Sequence, residues 1–443
     1  MLRTFIVAAL CLGLLSTSFG QDTQTFSLQD AVNYSYEHHT NMRLAENKIR
    51  TSEQEMIEVR AMGIPQVNAG VDYNYNIKLP TTLIPDQFFN PMAGEDDFSE
   101  VSFGTTNNLV ASATLRTLLF DGTYLTALKA SKAVAEFANL EYQHDKAQLR
   151  DAVKKAYLPP LLMLENIKTV EENIRVLEKM HFETNAMYEE GFVEKLDVDK
   201  LELSLDNMKV TLEDLRKSYK TAVDALKVQI GFPLEQELEL IESVEAMAAP
   251  LADFNEDAVI DYMQRTEFRM LEQNKVLQQL NIERYQKGYW PSLSGFVTYQ
   301  QQVQGNNLFD NPSNTGASFA GLSLNVPIFD GFSKKALKAQ ARIGYENVIH
   351  TQEMLKSSID LQVKIAHRNY KNALENIDSR KRNVDLAERI FEISQIKYRE
   401  GMGSSLEIIQ AEQSLFQSQQ NYIQSLYDFI LAKIDLEIAY GKE

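Results

Sequence analysis

Few residues of this chain have the type and spacing that catalysis or metal binding requires. His38 and His39 are adjacent, so on a helix they point to different sides and cannot chelate a metal as an i, i+4 pair does. The segment Gly401-Met-Gly403 lacks the rest of a phosphate-binding loop and follows a predicted helix rather than a strand. The sequence therefore predicts no enzyme, no cofactor and no metal site.

The most informative stretch occurs twice, at an offset of 210 residues (398 minus 188). Each copy has a tyrosine, a glycine three residues later, and a leucine–acid pair that begins five residues after the glycine. Such a glycine tolerates the left-handed backbone that often ends a helix. Each copy is therefore interpreted as the tip of a helical hairpin. The two copies are Tyr188, Gly191, Leu196 and Asp197, and Tyr398, Gly401, Leu406 and Glu407.

Long runs with apolar residues at alternating steps of three and four lead into and out of each tip. A sustained seven-residue repeat is the signature of supercoiled helices. Pro159 and Pro160 lie inside the first incoming run and are expected to kink or interrupt that helix, because proline breaks the hydrogen-bond ladder. The runs are 149–188 and 359–398 before the tips, and 201–226 and 411–436 after them.

The charge balance and the N-terminus restrict the partners and the compartment. The formal net charge of −18 argues against nucleic acid, which is bound through Lys and Arg. Arg3, the apolar stretch 5–15 and a small-residue site before Gln21 predict a signal peptide cleaved between Gly20 and Gln21. The single cysteine, Cys11, lies within that peptide, so the mature chain is expected to have neither a disulfide nor a lipid anchor.

Two segments alternate between polar and apolar residues and predict one β-hairpin each, at about 66–118 and about 291–328. Pro80, Pro85 and Pro91 predict a loop between the two strands of the first hairpin. Strands of this kind have about the length that crosses an outer membrane at a tilt. The alternative is a soluble, half-buried sheet. An isolated hairpin is barely stable in water, however, so these strands are expected to join others.

The repeats divide the chain into two similar halves of one structure rather than into unrelated domains. Each half is predicted to hold a helix, a β-hairpin and a long helical hairpin, the latter at about 123–230 and about 332–440. The first helix is expected to begin at a capping box formed by Ser27 and Asp30 and to run to about residue 63. The segment between the halves has no repeat partner and is interpreted as a linker. The predicted divisions are 1–20 signal peptide, 21–231 first repeat, 232–251 linker or equatorial segment, and 252–443 second repeat.

Four membrane strands are too few to close a barrel, since single-chain barrels begin at about eight strands. Open sheet edges do not occur in lipid. Copies of the chain are therefore expected to pool their strands, which predicts an obligate oligomer. Strands that continue into helices roughly 100 Å long would place a long helical tube on one side of the membrane, so the pattern predicts a conduit.

The duplicated plan, the Pro-Ile-Phe-Asp-Gly junction at Pro327–Gly331 and the repeated tips resemble the TolC-type outer-membrane channel-tunnel family. The resemblance covers the whole mature chain. It implies a mainly α fold with a transmembrane β part, in which helical hairpins form an α-barrel and each protomer contributes four strands to a twelve-stranded trimeric barrel. It also implies a homotrimer in outer-membrane lipid that exports material, with a periplasmic adaptor and an inner-membrane pump of the RND, ABC or a similar class.

The resemblance implies roles for residues at the tips, where family members close the periplasmic end. Tyr398 matches a gate tyrosine that bonds an aspartate matched by Asp197, so Tyr398→Phe is expected to leak. Glu407 matches an acidic ring. Gly403 replaces a gate arginine of some members and Gln410 replaces a second ring acid, which predicts a weaker latch. Alternatively, Tyr398 is only the last apolar position of its heptad run.

Two other classes of protein share parts of this pattern. A periplasmic adaptor would have one helical hairpin between paired lipoyl-like halves, whereas this sequence predicts two hairpins, each preceded by a strand pair. A secreted coiled-coil structural protein would have no channel conductance.

Overall fold

The computed structural model describes residues 24–89, 91, 92, 94, 97–251 and 259–441. The predicted signal peptide and its cleavage site at Gly20 and Gln21 lie outside these residues. Residue contacts divide the chain into two units. The first unit contains the described residues up to Lys48, together with Asn139–Leu271 and Thr351 onwards, and the second contains Ile49–Ala138 and Glu272–His350.

The described elements follow one another as strands and helices that match the predicted order, with additions. The helices α3 and α7 each run through both units. In chain order the elements are β1 (Gln24–Phe26), α1 (Leu28–His38), α2 (Thr40–Ala61), β2 (Gln66–Tyr75), β3 (Thr81–Pro85), β4 (Phe98–Ser102), β5 (Asn107–Phe120), α3 (Gly122–Glu189), α4 (Lys195–Ile230), β6 (Leu238–Leu240), α5 (Val244–Met247), α6 (Thr266–Lys287), β7 (Ser292–Gly305), β8 (Ser313–Asn325), α7 (Ser333–Arg399) and α8 (Ser405–Tyr440).

The second unit contains an antiparallel sheet in the order β2-β5-β7-β8, so the hairpins of the two halves pair through β5 and β7. Directly opposite residues share a face of the sheet. One cross-strand row runs Val67–Leu115–Val297–Ala320, and Leu322 lies on the same face. This face is apolar and solvent-exposed.

The opposite face of the sheet is polar. The hydroxyls of Thr114 and Thr298 lie 3.0 Å apart, and Gln302 donates to Asn108 at 2.9 Å. The sheet thus has the two-faced character that the alternating sequence predicts. A further antiparallel pair, β3 with β4, lies within the segment between β2 and β5 that is predicted as a loop.

The N-terminal helical segment was expected to run unbroken to about residue 63, and this is wrong. Ser27 and Asp30 form the predicted capping box at its start, but the backbone of His39 is extended and separates α1 from α2. Gly231, which follows α4, packs against this break: a Cβ there would lie 3.1 Å from the carbonyl oxygen of His38. The break therefore lies against a segment that is distant in the chain.

The helix α3 is continuous through Pro159 and Pro160, so the expected interruption does not occur. The neighbouring side chains Tyr157, Leu158 and Leu161 are buried, and the Tyr157 hydroxyl donates to the Phe26 carbonyl at 2.8 Å. Burial of three large side chains and this hydrogen bond offset the backbone bonds that the prolines remove.

The cores of the first unit lie along the helical hairpins. One core joins α1, β1 and the segment after α4 to α3, α4 and α8, and another joins α7 to α8. The third lies towards the hairpin tips, where α3, α4, α7 and α8 all contribute, with residues such as Leu177, Leu201, Phe391, Tyr398 and Ile408. The tips are therefore held by four-helix packing within one chain.

The segment 232–251, predicted as a linker, is packed on the first unit. Its strand β6 pairs in parallel with β1, and Phe232, Leu238 and Val244 are buried. Lys433 of α8 donates to the carbonyls of Met247 and Ala249, at 3.3 and 2.8 Å. The division into two structural repeats on either side of this segment stays a prediction.

Within the described residues, no helix combines the length and the apolar character that crossing a lipid bilayer would need.

Candidate functional site at the helix tips

The two hairpin tips have the same backbone geometry. Gly191 and Gly401 have φ of +80° and +70°, and nothing lies within 4 Å of a Cβ built on either. Each glycine amide donates to the carbonyl three residues earlier, at 2.9 and 3.0 Å. The next amide donates to the carbonyl five residues earlier, at 2.8 Å in both tips. This is a Schellman ending, in which the backbone conformation itself favours glycine.

Each tip also exposes two apolar side chains at matching positions. Phe192 and Met402 are 77% and 75% exposed, and Leu196 and Leu406 are 55% and 54% exposed. We call these four side chains the tip patch. Large exposed apolar side chains are candidates for contact with other molecules.

The first turns of α4 and α8 are joined by a polar contact. Ser405, which is buried, donates a hydrogen bond to the carboxylate of Asp197. Lys200 completes the group, with its Nζ 3.3 Å from Ser405 Oγ and 3.7 Å from Asp197 Oδ1. Asp197 thus links the first hairpin to the second hairpin within a single chain.

Tyr398 is buried at the end of α7, and its hydroxyl makes no hydrogen bond of normal geometry among the described residues. Burial raises the pKa of Tyr398, the negative charge of Asp197 raises it further, and the Thr184 side chain opposes the shift. Tyr398 and Asp197 therefore lie near each other, but the Asp197 carboxylate accepts its hydrogen bond from Ser405 and not from Tyr398.

The remaining sequence-derived tip residues lie on exposed backbone or helix surface. Glu407 and Gln410 are both exposed on α8, and the Glu407 amide donates to the capping hydroxyl of Ser404 at 3.3 Å. A Cβ on Gly403 would lie 3.3 Å from the Tyr398 amide nitrogen and from the Lys397 Cβ. A longer side chain at position 403 would therefore crowd the end of α7.

Sequence reasoning missed five residues that make contacts in this region. Arg399 of α7 forms an ion pair with Glu183 of α3 at 2.9 Å, and Ser204 of α4 donates to Glu412 of α8 at 3.3 Å. Ser405 was also missed. The heptad spacing of Ser204 from Asp197, and of Glu412 from Ser405, is visible in the sequence, but it does not reveal which helices face each other.

The described residues contain no cluster of three or more His, Cys, Asp or Glu side chains arranged to hold a metal ion. The contacts at the tips are mechanical and electrostatic. Hydrogen bonds, an ion pair and a shared apolar core hold the ends of two hairpins together, and these contacts can be made or broken without bond chemistry.

Comparison with known proteins places this arrangement in a family. The model of the outer membrane efflux protein family matches residues 32–231 and 264–442. The chain belongs to this family. Its members are channel proteins, and the match covers both helical hairpins and both strand pairs. The periplasmic-adaptor and secreted-scaffold alternatives are therefore wrong for this chain.

Individual relatives agree. Outer membrane protein TolC of Salmonella enteritidis is 20% identical over 401 residues, covering 87% of this chain and 75% of the relative. The alkaline protease secretion protein AprF of Pseudomonas aeruginosa is 20% identical over 347 residues, covering 76% and 70%. A crystal structure of CusC superimposes with a TM-score of 0.74 at 16% identity, over 94% of this chain and 92% of that one.

These findings establish the fold and the location. The chain has the mostly helical fold of TolC-like channels, with long helical hairpins and a small number of strands. It is an outer-membrane protein whose helical part extends into the periplasm, and it serves as an exit duct for export.

Proposed function

We propose that three copies of this chain assemble into one channel-tunnel, gated at the periplasmic helix tips, which receives cargo from a periplasmic adaptor and an inner-membrane pump. The observation that carries the proposal is the four-stranded sheet, whose outer strands are β2 and β8. Edge strands in lipid need partners, because unpaired backbone groups in hydrocarbon cost several kcal/mol each. Pairing β2 of one copy with β8 of the next satisfies both edges.

The chemistry of the sheet faces supports the same assembly. The apolar row through Val67, Leu115 and Val297 suits lipid, and the polar row through Thr114 and Thr298 suits an aqueous lumen. Three copies pooling four strands each make a ring of twelve.

The tips supply the gate and the docking end. The Asp197–Ser405 contact and the Arg399–Glu183 ion pair hold the hairpins together in the closed form. The tip patch offers apolar side chains to the adaptor, and the adaptor connects the channel to the pump. Candidate gate residues are Tyr398, Asp197, Glu407 and Gln410.

The decisive experiment purifies the protein in detergent, determines its mass and then inserts it into planar bilayers. We expect a mass of three chains and discrete single-channel currents. A monomer without conductance, or a protein released from membranes by carbonate, would refute the proposal.

A further inference from the structure

Two serine–carboxylate contacts join α4 to α8, one heptad apart on both helices. At the tip, Ser405 of α8 donates to Asp197 of α4. Seven residues further from the tip on each helix, Ser204 of α4 donates to Glu412 of α8 at 3.3 Å. The carboxylate thus comes from α4 in one contact and from α8 in the next, so the two helices exchange donor and acceptor roles. We call this α4–α8 interface the seam.

Glu412 is unusual among the acids of this seam because it is almost completely buried. Its side chain belongs to a residue that is only 6% exposed, and among the described residues its Oε1 has no hydrogen-bond partner. It lies beside the apolar core residues Ala411 and Leu415. An ionised carboxylate with one unpaired oxygen in such surroundings is costly, whereas the neutral acid costs much less.

Burial accordingly raises the pKa of Glu412, and the hydrogen bond from Ser204 acts in the opposite direction. Several charged groups on the neighbouring helices pair with one another. These are Asp197 with Lys200 within α4, Glu178 of α3 with Lys209 of α4, and Glu183 of α3 with Arg399 of α7.

We propose that Glu412 and Ser204 form a second, proton-dependent latch between the two hairpins, one heptad behind the Asp197–Ser405 contact. This inference rests on the proposed function, because a latch of this kind matters only where the tips gate a passage. Glu412 and Ser204 are positioning residues of the gate. They act by holding α4 against α8.

The direction of the pH effect follows from the burial. The packed seam raises the pKa of Glu412, so the closed form binds the proton more tightly than an open form in which Glu412 is hydrated. The stability that this group lends to the closed form is fully present below the ordinary carboxyl pKa. It is lost as the pH rises through the raised pKa, because the ionised group favours separation of the helices.

The test measures open probability in planar bilayers as a function of pH for the wild-type trimer, Glu412→Gln and Ser204→Ala. We expect wild-type opening to increase as the pH rises above the ordinary carboxyl pKa. Glu412→Gln keeps the shape and stays neutral, so it should remove that step and reduce opening at neutral pH. Ser204→Ala removes a donor to the ionised group and should increase opening about tenfold where Glu412 is charged.

The matched control is Glu202→Gln, which neutralises an exposed acid two residues from Ser204 on the same helix and should keep the wild-type pH profile. Glu412→Asp should retain a pH step. Should Glu412→Gln fail to assemble, the infrared band of a protonated carboxyl, compared between wild type and Ser204→Ala, decides instead. A Glu412 band lost at or below the ordinary carboxyl pKa would overturn the latch.

The outcomes separate the two claims. A wild type that conducts with the same pH step as Glu412→Gln overturns the latch and leaves the channel intact. Absence of conductance in the wild type and in Asp197→Ala overturns the proposed function, and the latch with it.

Discussion

Ser405 Oγ donates to the carboxylate of Asp197 and so ties the first turn of α8 to the first turn of α4. Each residue lies in the first turn of the helix that follows a left-handed glycine, Gly191 before α4 and Gly401 before α8. The two tips are therefore coupled at the start of α4 and α8, and breaking this contact is expected to change gating rather than folding.

Replacing Asp197 with alanine should open the channel. The change removes the acceptor of Ser405 and the ion-pair partner of Lys200, and a hydrogen bond to a charged group is worth about 1.5–3 kcal/mol. We expect at least about a tenfold increase in open probability in planar bilayers. Asp199→Ala, at an exposed position of the same turn, is the control, and an equal effect there would contradict the assignment.

Replacing Tyr398 with phenylalanine should change little. The hydroxyl is buried without a hydrogen bond of normal geometry, so its removal relieves a desolvated polar group and breaks no such bond. We expect an unchanged single-channel conductance and a free energy of unfolding within about 1 kcal/mol of wild type. Tyr398→Ala, by contrast, should destabilise the tip core by about 3–5 kcal/mol. A leak in Tyr398→Phe would favour the tyrosine–aspartate bond that the family resemblance implies.

Replacing Arg265 with lysine should destabilise the helical part. Its buried guanidinium donates to the carbonyls of Ile438 and Ala439 at the end of α8, at 3.3 and 3.0 Å, and to Glu267. Lysine cannot reproduce this fork, so we expect a loss of about 1–3 kcal/mol in thermal unfolding followed by circular dichroism. The exposed substitution Arg43→Lys should have no measurable effect.

Replacing both Phe192 and Met402 with serine should weaken docking of the adaptor and leave conduction unchanged. Both side chains are exposed and belong to the tip patch, so the trimer should fold and conduct as before. Export in cells that lack the unmodified copy should fail, because the adaptor loses its apolar contact. The control is Leu203→Ser, an exposed apolar position away from the turn. Normal export by the double variant would show that the adaptor docks elsewhere.

The structure also shows where local patterns mislead. Three prolines at positions 80, 85 and 91 suggested a loop, yet β3 and β4 pair there, with Pro85 at the end of β3. Pro159 and Pro160 suggested an interrupted helix, yet buried neighbours keep α3 continuous. In α3 tertiary contacts outweigh an intrinsic preference of a few kcal/mol. In the β3–β4 pair, Pro85 stands at the end of its strand, where proline is tolerated.

The sequence by itself determined the features that depend on neighbours along the chain. Heptad spacing specified the long helices, alternation specified the two-faced strands, and Gly191 and Gly401 marked the turns between helices. Each of these is a periodicity or a backbone preference that operates within a few residues.

Only the tertiary structure decided which surfaces meet. In the folded chain Ser405 donates to Asp197, and Ser204 donates to Glu412. The strand β1 pairs with β6, and the first helix ends at His38 beside Gly231. Partners such as Asp197 and Ser405 stand 208 residues apart in the chain. Heptad patterns show that a face is buried without showing what buries it, so these pairings depend on how the hairpins pack together.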